Sequence, residues 1–384
     1  MSKVMKIILI VLLVVVLAVV GVGMYVLSSM RSDAVQTVAK PTEDLTMTTE
    51  EPATIQVVSE EPTPSPTPMP IYEEEALDDN IVNILLIGTD SRSADESENS
   101  EGRSDSMILA SLNKETGKIA LVSFMRDARV HRIGESGRFT FYNKLNGAYR
   151  GGYGGGGAGE LIKTINGNFG LDIDQYIAIG FDGFAALIDK IGGLDVELDQ
   201  AEINFINDRI KGDHDIEPEI VKNAKTVDAA PGVVHLDGVQ CLIYARNRHT
   251  GTDGGGGNDF ERVNRQQEII QLVYKKVTTS MNEQSVLALL SFATNYITTN
   301  LDLSTMGSLI KVLLTTKMEF VTTTVPEAGT YKNFLAEKVN KETGETTYEK
   351  TDQLEFNIKK AAASLQTLLY GAELTPEPEA TPEP

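Results

Sequence analysis

The alternation of apolar and polar positions separates an N-terminal apolar run, a polar stretch and a long region with strand and helix periodicities. Short apolar runs bounded by Gly, Asn and Asp predict strands, and apolar positions three and four residues apart predict amphipathic helices. Strands are predicted at 81–89, 107–113, 118–124, 176–181, 194–198 and 319–325, and helices at 142–150, 161–169, 183–191, after Asn258, and at 284–298, 304–316 and 353–369.

The order of these elements predicts the fold class. Strands that alternate with helices are typical of α/β proteins, in which helices cover both faces of one sheet. No linker-like stretch interrupts residues 81–370. We therefore expect a single α/β/α sandwich domain with a central mixed sheet over this region.

The two ends of the chain differ from this region. Residues 7–27 are almost unbroken aliphatic, which is long enough for a transmembrane helix, and Lys3 and Lys6 before them predict that residues 1–6 are cytoplasmic. A cleaved signal peptide is the alternative, but the run exceeds the usual apolar core of such peptides. Residues 28–80 are rich in Pro, Thr and Glu and predict a disordered stalk, and residues 371–384 predict a disordered tail. The domain is therefore expected outside the cell.

Composition narrows the function. The formal net charge of −21 argues against nucleic-acid binding, which needs a basic surface. The single cysteine, Cys241, excludes an intramolecular disulfide and a cysteine-rich zinc site, and its apolar neighbours predict a buried thiol. The chain contains no HExxH motif.

Arginines and aspartates recur at the ends of the predicted strands and around one predicted helix. Asn258 and Asp259 resemble a helix N-cap, and Asp259, Arg262, Gln266 and Ile269 then share one stripe. A helix N-terminus with arginines favours an anion such as phosphate, although ordinary surface ion pairs are the alternative. The residues collected in this way are Asp90, Arg92, Arg103, Asp105, Arg126, Asp127, Lys144, Asn146, Arg246, Arg248, Asp259, Arg262, Arg265 and Gln266.

This set combines many positive donors with a few carboxylates. Arginine binds phosphate with two parallel hydrogen bonds, and Mg²⁺ prefers one or two carboxylates together with phosphate oxygens. Phosphoryl transfer needs mainly positioning and charge neutralisation. The set therefore favours a diphosphate bridged by Mg²⁺.

In these motifs the chain resembles the LytR-CpsA-Psr family of bacterial cell-envelope proteins over about residues 81–275. The motifs are Leu85-Leu86-Ile87-Gly88-Thr89-Asp90-Ser91-Arg92, Arg103-Ser104-Asp105-Ser106, Arg126-Asp127, Lys144-Leu145-Asn146, Gly192-Gly193-Leu194, and Tyr244-Ala245-Arg246-Asn247-Arg248 followed by Asp259, Arg262, Arg265 and Gln266. The chain departs from the family pattern at two positions. Met125 precedes Arg126-Asp127 where the family usually has proline, and Gly147 follows Lys144-Leu145-Asn146 where the family often has histidine.

The resemblance implies a membrane-anchored extracellular enzyme that moves an anionic glycopolymer from a polyprenyl diphosphate to peptidoglycan. It implies Mg²⁺ held by Asp90 and Asp105. The implied catalytic residues are Asp105, Arg126, Arg248, Arg262 and Arg265, and the implied substrate-binding residues are Arg92, Arg103, Lys144, Asn146, Arg246, Asp259 and Gln266. A non-catalytic binding scaffold and a hydrolase of the same diphosphate are the alternatives.

A polyprenyl substrate adds one structural expectation. Its chain is insoluble, so the domain should contain an apolar cavity with a polar mouth. Ile269, Ile270 and Val273, which continue the stripe of Arg262, are candidates for the cavity wall.

Overall fold

The computed structural model describes residues 80–89, 104–133, 139–150, 156–212, 218–250, 258–280, 289, 292, 295–301, 318–339 and 346–371. The predicted cytoplasmic tail, transmembrane helix and stalk at 1–79 and the tail beyond Gly371 lie outside these residues. Within the described part of the chain, no helix has the length and apolarity needed to cross a bilayer.

The described part of the chain contains both strands and helices. The strands are β1 (Ile81–Thr89), β2 (Ser104–Asn113), β3 (Lys118–Phe124), β4 (Arg129–Ile133), β5 (Phe139–Lys144), β6 (Gln175–Gly180), β7 (Leu194–Leu198), β8 (Gly232–Leu236), β9 (Ile297–Thr299), β10 (Glu319–Val325), β11 (Tyr331–Val339) and β12 (Thr346–Phe356). The helices are α1 (Asn146–Arg150), α2 (Gly157–Phe169), α3 (Phe181–Lys190), α4 (Gln200–Lys211), α5 (Pro218–Val221), α6 (Gly238–Arg246), α7 (Asp259–Ser280) and α8 (Ile358–Tyr370).

A six-stranded sheet in the order β10-β3-β2-β1-β6-β9 forms the centre of the domain. Strand β1 is antiparallel to β2 and parallel to β6, and β3 is parallel to β10. The sheet is therefore mixed, which confirms the predicted α/β class with a central mixed sheet.

Alternating side chains of the sheet supply two separate cores, one on each face. On one face, Ile84 of β1 belongs to a cluster with residues of α3, α6 and α7. On the other face, its neighbour Leu85 belongs to a cluster with residues of α2 and α8. Helices thus cover both faces, as an α/β/α arrangement requires.

Close packing of α6 on α3 depends on Gly238. A Cβ atom at this position would lie 2.0 Å from the backbone oxygen of Ala185, so any larger residue would push the two helices apart. Helix α6 begins one residue after Asp237, whose side chain accepts a hydrogen bond from the Gln240 amide. This packing fixes the helix that ends at Arg246.

Three predicted helices differ from the structure. Residues 142–144 are the end of β5, because this segment pairs with β4 (Tyr142 opposite His131), and the helix begins only at Asn146. Residues 353–356 are the end of β12, which pairs with β11, and Asn357 caps the helix that follows. The predicted helix 284–298 overlaps β9, which pairs with β6. In each case a strand partner distant in sequence outweighs the local helical pattern.

Candidate active site

An apolar cavity of about 430 Å³ lies between the sheet and the helices α3, α6 and α7. The sheet contributes Ile84, Ile108 and Leu121 to its wall. Helix α7 contributes Ile269, Ile270 and Val273, as predicted from the stripe that continues Arg262. The domain therefore contains the expected apolar cavity.

The mouth of this cavity is strongly cationic. Among the described residues that line the cavity there are five arginines but only one carboxylate, Asp105. Four of the arginines were predicted site residues, whereas Arg209 of α4 was not. The lining arginines are Arg126, Arg209, Arg246, Arg248 and Arg262. An apolar cavity with a net positive mouth suits an amphiphile that has an anionic head.

Arg126 lies just after β3 and is surrounded by carboxylates. Its Nη1 donates to Asp105 Oδ1 at 3.1 Å, and its Nε lies 3.4 Å from Asp127 Oδ2 and 3.3 Å from Asp259 Oδ2. Burial lowers the pKa of Arg126, but Asp259, Asp127 and Asp105 together raise it by more. The guanidinium is therefore charged and fixed at the mouth.

Arg262 is the most deeply buried cation of the mouth. It is 5% exposed, and its Nη2 lies 3.5 Å from Asp259 Oδ2. Burial lowers the pKa of Arg262; Asp259 opposes this effect, and the positive charges of Arg126 and Arg248 add to it. Its buried Nε has no hydrogen-bond partner among the described residues. A buried charged donor without an acceptor is unfavourable by about 1–3 kcal/mol, and a phosphate oxygen would relieve it.

The helix N-terminus beside Arg262 is capped by Asn258 rather than by Asp259. Asn258 Oδ1 accepts hydrogen bonds from the amides of Phe260 and Glu261 at 2.8 and 3.2 Å. The Asp259 carboxylate is therefore left to bridge Arg126 and Arg262.

Gln266, Arg246 and Arg248 complete the mouth. Gln266 Oε1 accepts a hydrogen bond from the Ser106 hydroxyl at 2.9 Å, which joins α7 to β2. The Arg246 guanidinium lies 4.0 Å from the centre of the Phe181 ring, a cation–π contact. Arg248 is exposed. The mouth thus combines fixed arginines with one that is open to solvent.

The structure does not place Arg265 among the residues that line the cavity. It is 3% exposed, and its Nη2 and Nε donate to Glu202 Oε1 at 2.8 and 3.0 Å. Its Nη1 and Nη2 also donate to the backbone oxygens of Asn247 and Thr250 at 3.0 and 2.8 Å. This placement does not support the predicted contact with a diphosphate. Arg265 instead holds the backbone on both sides of Arg248.

Three predicted substrate-binding residues, Asp259, Lys144 and Asn146, also lie off the cavity lining. Lys144 binds the carboxylates of Asp127, at 2.7 Å, and of Asp352 on β12. Asn146 is buried at the start of α1. Lys144 shares Asp127 with Arg126, and the backbone amide of Asn146 donates to the backbone oxygen of Arg126 at 3.2 Å. Direct contact of Lys144 and Asn146 with substrate stays a prediction.

Asp90, Arg92 and Arg103 lie outside the described residues, so the predicted Mg²⁺ pair is represented here by Asp105 alone. No group of three or more metal-ligating side chains occurs within the described ranges. The donor set still fits Mg²⁺ in its usual phosphate-bound form, in which one or two carboxylates suffice. Mg²⁺ binding stays a prediction.

Sequence reasoning missed several residues of the site. The candidate set did not include four residues that the structure places at the cavity or against its arginines: Phe181, Glu202, Arg209 and His249. Ser106 was noted only as part of a motif, although it bonds to Gln266. The Asp199-x-x-Glu202 pattern is a capping box, which could have predicted α4 but not its contact with Arg265.

Comparison with known proteins finds relatives that match part of the chain. The chain is 33% identical over 229 residues to Biofilm regulatory protein A of Streptococcus mutans, which covers 59% of this chain and 52% of that protein. It is 30% identical to the polyisoprenyl-teichoic acid–peptidoglycan teichoic acid transferase TagV of Bacillus subtilis, over 52% of this chain and 46% of that protein. The corresponding transferase TagU of Oceanobacillus iheyensis is also 30% identical, over 62% of this chain and 64% of that protein. The chain thus spans about half to two thirds of the length of these relatives.

Solved structures share the fold. The protein gbs0355 of Streptococcus agalactiae matches with a TM-score of 0.56 and 25% identity, over 79% of this chain and 91% of that one. TagT bound to LIIa-WTA matches with a TM-score of 0.50 and 20% identity, over 77% of this chain and 92% of that one, which shows a common fold only.

The family model of LytR_cpsA_psr matches residues 33–364. This match covers most of the chain and includes every described residue that lines the cavity mouth. The chain therefore belongs to the LytR_cpsA_psr family.

Proposed function

We propose that the protein is a phosphotransferase that moves an anionic glycopolymer from a polyprenyl diphosphate carrier to a hydroxyl group of peptidoglycan. The observation that carries the proposal is the apolar cavity of about 430 Å³ with a mouth of five arginines and one aspartate. The names of the relatives TagV and TagU support it, because both are teichoic acid transferases to peptidoglycan. A teichoic acid or a capsular polysaccharide would be a suitable polymer.

The two parts of the carrier match the two parts of the site. The cavity wall, with Ile269 and Ile270, offers an apolar environment to the first isoprene units. Burial of apolar surface contributes roughly 25 cal/mol per Å², so even a part of the chain adds several kcal/mol to affinity. The diphosphate then lies at the mouth, next to Arg126 and Arg262.

The chemistry at the mouth is displacement at phosphorus. An acceptor hydroxyl forms a new O–P bond to the polymer-bearing phosphorus while the bond to the lipid phosphate breaks, and polyprenyl phosphate leaves with the electron pair. Arg126 and Arg262 are fixed by Asp105 and Asp259, so they neutralise developing charge without reorganising. Arg246 and Arg248 add two further cations to the lining of the cavity.

Mg²⁺ is part of this proposal. Asp105 lines the cavity, and with Asp90 it would hold the ion against the diphosphate. When bound, Mg²⁺ supplies further neutralisation of phosphate charge.

We also propose that the domain acts outside the cell on a single N-terminal membrane anchor. The apolar run 7–27 and the lysines before it support this topology. A tag after Pro384 should be cleaved by protease in intact spheroplasts. A protected tag, or a mature N-terminus mapped near Met30, would contradict the anchored topology.

Reconstitution tests the activity. Purified protein is incubated with polyprenyl diphosphate-linked polymer, peptidoglycan and Mg²⁺, and both polymer attachment and released polyprenyl phosphate are measured by mass spectrometry. Attachment in proportion to release supports the transferase. Release without attachment would indicate a hydrolase, and lipid binding without release would indicate a scaffold.

A further inference from the structure

The proposed transfer must remove a proton from the attacking hydroxyl, and no predicted site residue accounts for this step. The arginines of the mouth cannot accept a proton, because a guanidinium has only donors and does not deprotonate. The Asp105 Oδ1 accepts from Arg126, and Ser106 and Gln266 are bonded to each other. Asp105, the one carboxylate among the described residues that line the cavity, already has a proposed role in orienting Arg126 and Mg²⁺, so the proton acceptor is still to be assigned.

His249 lies at the mouth of the cavity, and its imidazole can accept a proton. It lines the cavity, is exposed, and follows Arg248 directly. Its ring nitrogens make no hydrogen bond to any described residue. Imidazole accepts a proton near neutral pH, which suits a general base.

The position of His249 is fixed by its surroundings. Its ring stacks on Phe205 of α4, with centroids 5.7 Å apart and planes at 27°. Its backbone amide donates to Asn247 Oδ1 at 3.0 Å, and Asn247 is fully buried. Arg265 holds the carbonyl oxygen of Asn247, so the buried ion pair behind the loop also supports the imidazole.

The charged groups near the ring are mainly guanidinium groups. The charged groups on the flanking elements that line the cavity are Arg209 of α4, Arg246 at the end of α6, Arg248 in the loop and Arg262 of α7. The nearby carboxylate of α4, Glu202, is bound by Arg265. These guanidinium groups are donors only, so none of them can accept the proton in place of His249.

From these observations we infer that His249 is the general base of the reaction. This inference rests on the proposed function. As the acceptor oxygen bonds to phosphorus and the lipid phosphate departs with its electron pair, the hydroxyl proton passes to a ring nitrogen of His249. Release of that proton to solvent restores the neutral imidazole.

The test is the pH dependence of single-turnover transfer in the full-length protein with polyprenyl diphosphate-linked polymer, for wild type and His249→Gln. Glutamine keeps polarity and similar length but is not a base. We expect about a 100-fold slower transfer near pH 7, the usual range for general base catalysis, with unchanged affinity for polyprenyl diphosphate. The wild-type rate should rise with pH because only a neutral imidazole accepts a proton, and the variant should lose this rise.

Two controls sharpen the result. His235→Gln changes another exposed histidine, on β8, which does not line the cavity and should transfer at the wild-type rate. In His249→Ala, added imidazole should restore part of the rate.

Three outcomes would overturn the assignment. One is a His249→Gln variant with the wild-type rate and pH profile. Another is a wild-type rate that falls as pH rises, together with weaker diphosphate binding in the variant, because that combination indicates a cationic phosphate ligand. The third is an absence of imidazole rescue. A wild-type protein that neither transfers polymer nor releases polyprenyl phosphate would instead refute the proposed function.

Discussion

Removal of the Glu202 carboxylate should show how much the buried ion pair between α4 and α7 contributes to the domain. Both partners are nearly inaccessible: Glu202 is 7% exposed and Arg265 is 3% exposed. In Glu202→Ala, Arg265 keeps the carbonyl oxygens of Asn247 and Thr250 but loses its counter-charge. Leaving one buried charge without its partner destabilises a protein by about 3–5 kcal/mol. The variant also loses the capping box, in which Glu202 accepts a hydrogen bond from the backbone amide of Asp199, and this loss adds about 1 kcal/mol to the destabilisation.

These magnitudes predict a measurable change in unfolding. The two contributions together are about 4–6 kcal/mol, and a change of 1 kcal/mol shifts Tm by roughly 2–4 °C in a domain of this size range. Glu202→Ala should therefore lower Tm by roughly 8–24 °C. Calorimetry and urea unfolding would measure it. The matched control is Glu349→Ala, which removes a carboxylate from the exposed pair with Lys338 and should change stability by less than about 1 kcal/mol.

The same variant should also affect the mouth. Arg265 holds the backbone on both sides of Arg248. If Arg265 is less firmly held, polyprenyl diphosphate binding should weaken together with stability. Replacing both partners together, as Glu202→Met with Arg265→Met, should recover much of the stability, since apolar pairs often replace buried ion pairs without loss. A Glu202→Ala variant that unfolds at the wild-type temperature would refute this account of the pair.

Three further predictions concern single groups. Arg262→Ala removes a charge-assisted donor at the mouth and should weaken binding of polyprenyl diphosphate by about 1.5–3 kcal/mol, measured by titration; unchanged binding would contradict its assignment. Asp105→Asn should slow single-turnover transfer but largely keep the affinity for the lipid, because a carboxylate that orients Arg126 and Mg²⁺ acts mainly on the transition state. A variant that transfers at the wild-type rate across a Mg²⁺ titration would contradict this role. Cys241 is 0% exposed, and burial raises the pKa of its thiol. At pH 8 a thiol reagent should therefore modify Cys241 only after the protein is unfolded in urea, and rapid modification of the native protein would contradict its burial.

Much of the fold followed from local patterns. The strands Lys118–Phe124, Leu194–Leu198 and Glu319–Val325 have the bounds that their apolar runs predicted, because each run is delimited by turn residues. The helix Asp259–Ser280 followed from its cap and its stripe. The cavity wall at Ile269, Ile270 and Val273 followed from the same stripe, since helical spacing places these residues beneath Arg262.

Only the tertiary structure determines which residues from distant segments contact each other. Arg262 and Arg265 lie three residues apart and looked equivalent in sequence, yet one lines the cavity and the other is buried against Glu202. The residues 142–144 form a strand because β4 lies beside them. His249 and Arg209 come together at the mouth because α4 packs beside the end of α6. Local propensity and spacing determine which face of a helix or strand a side chain occupies. The oppositely charged partner of that side chain comes from a segment tens of residues away, and only tertiary packing brings the two side chains together.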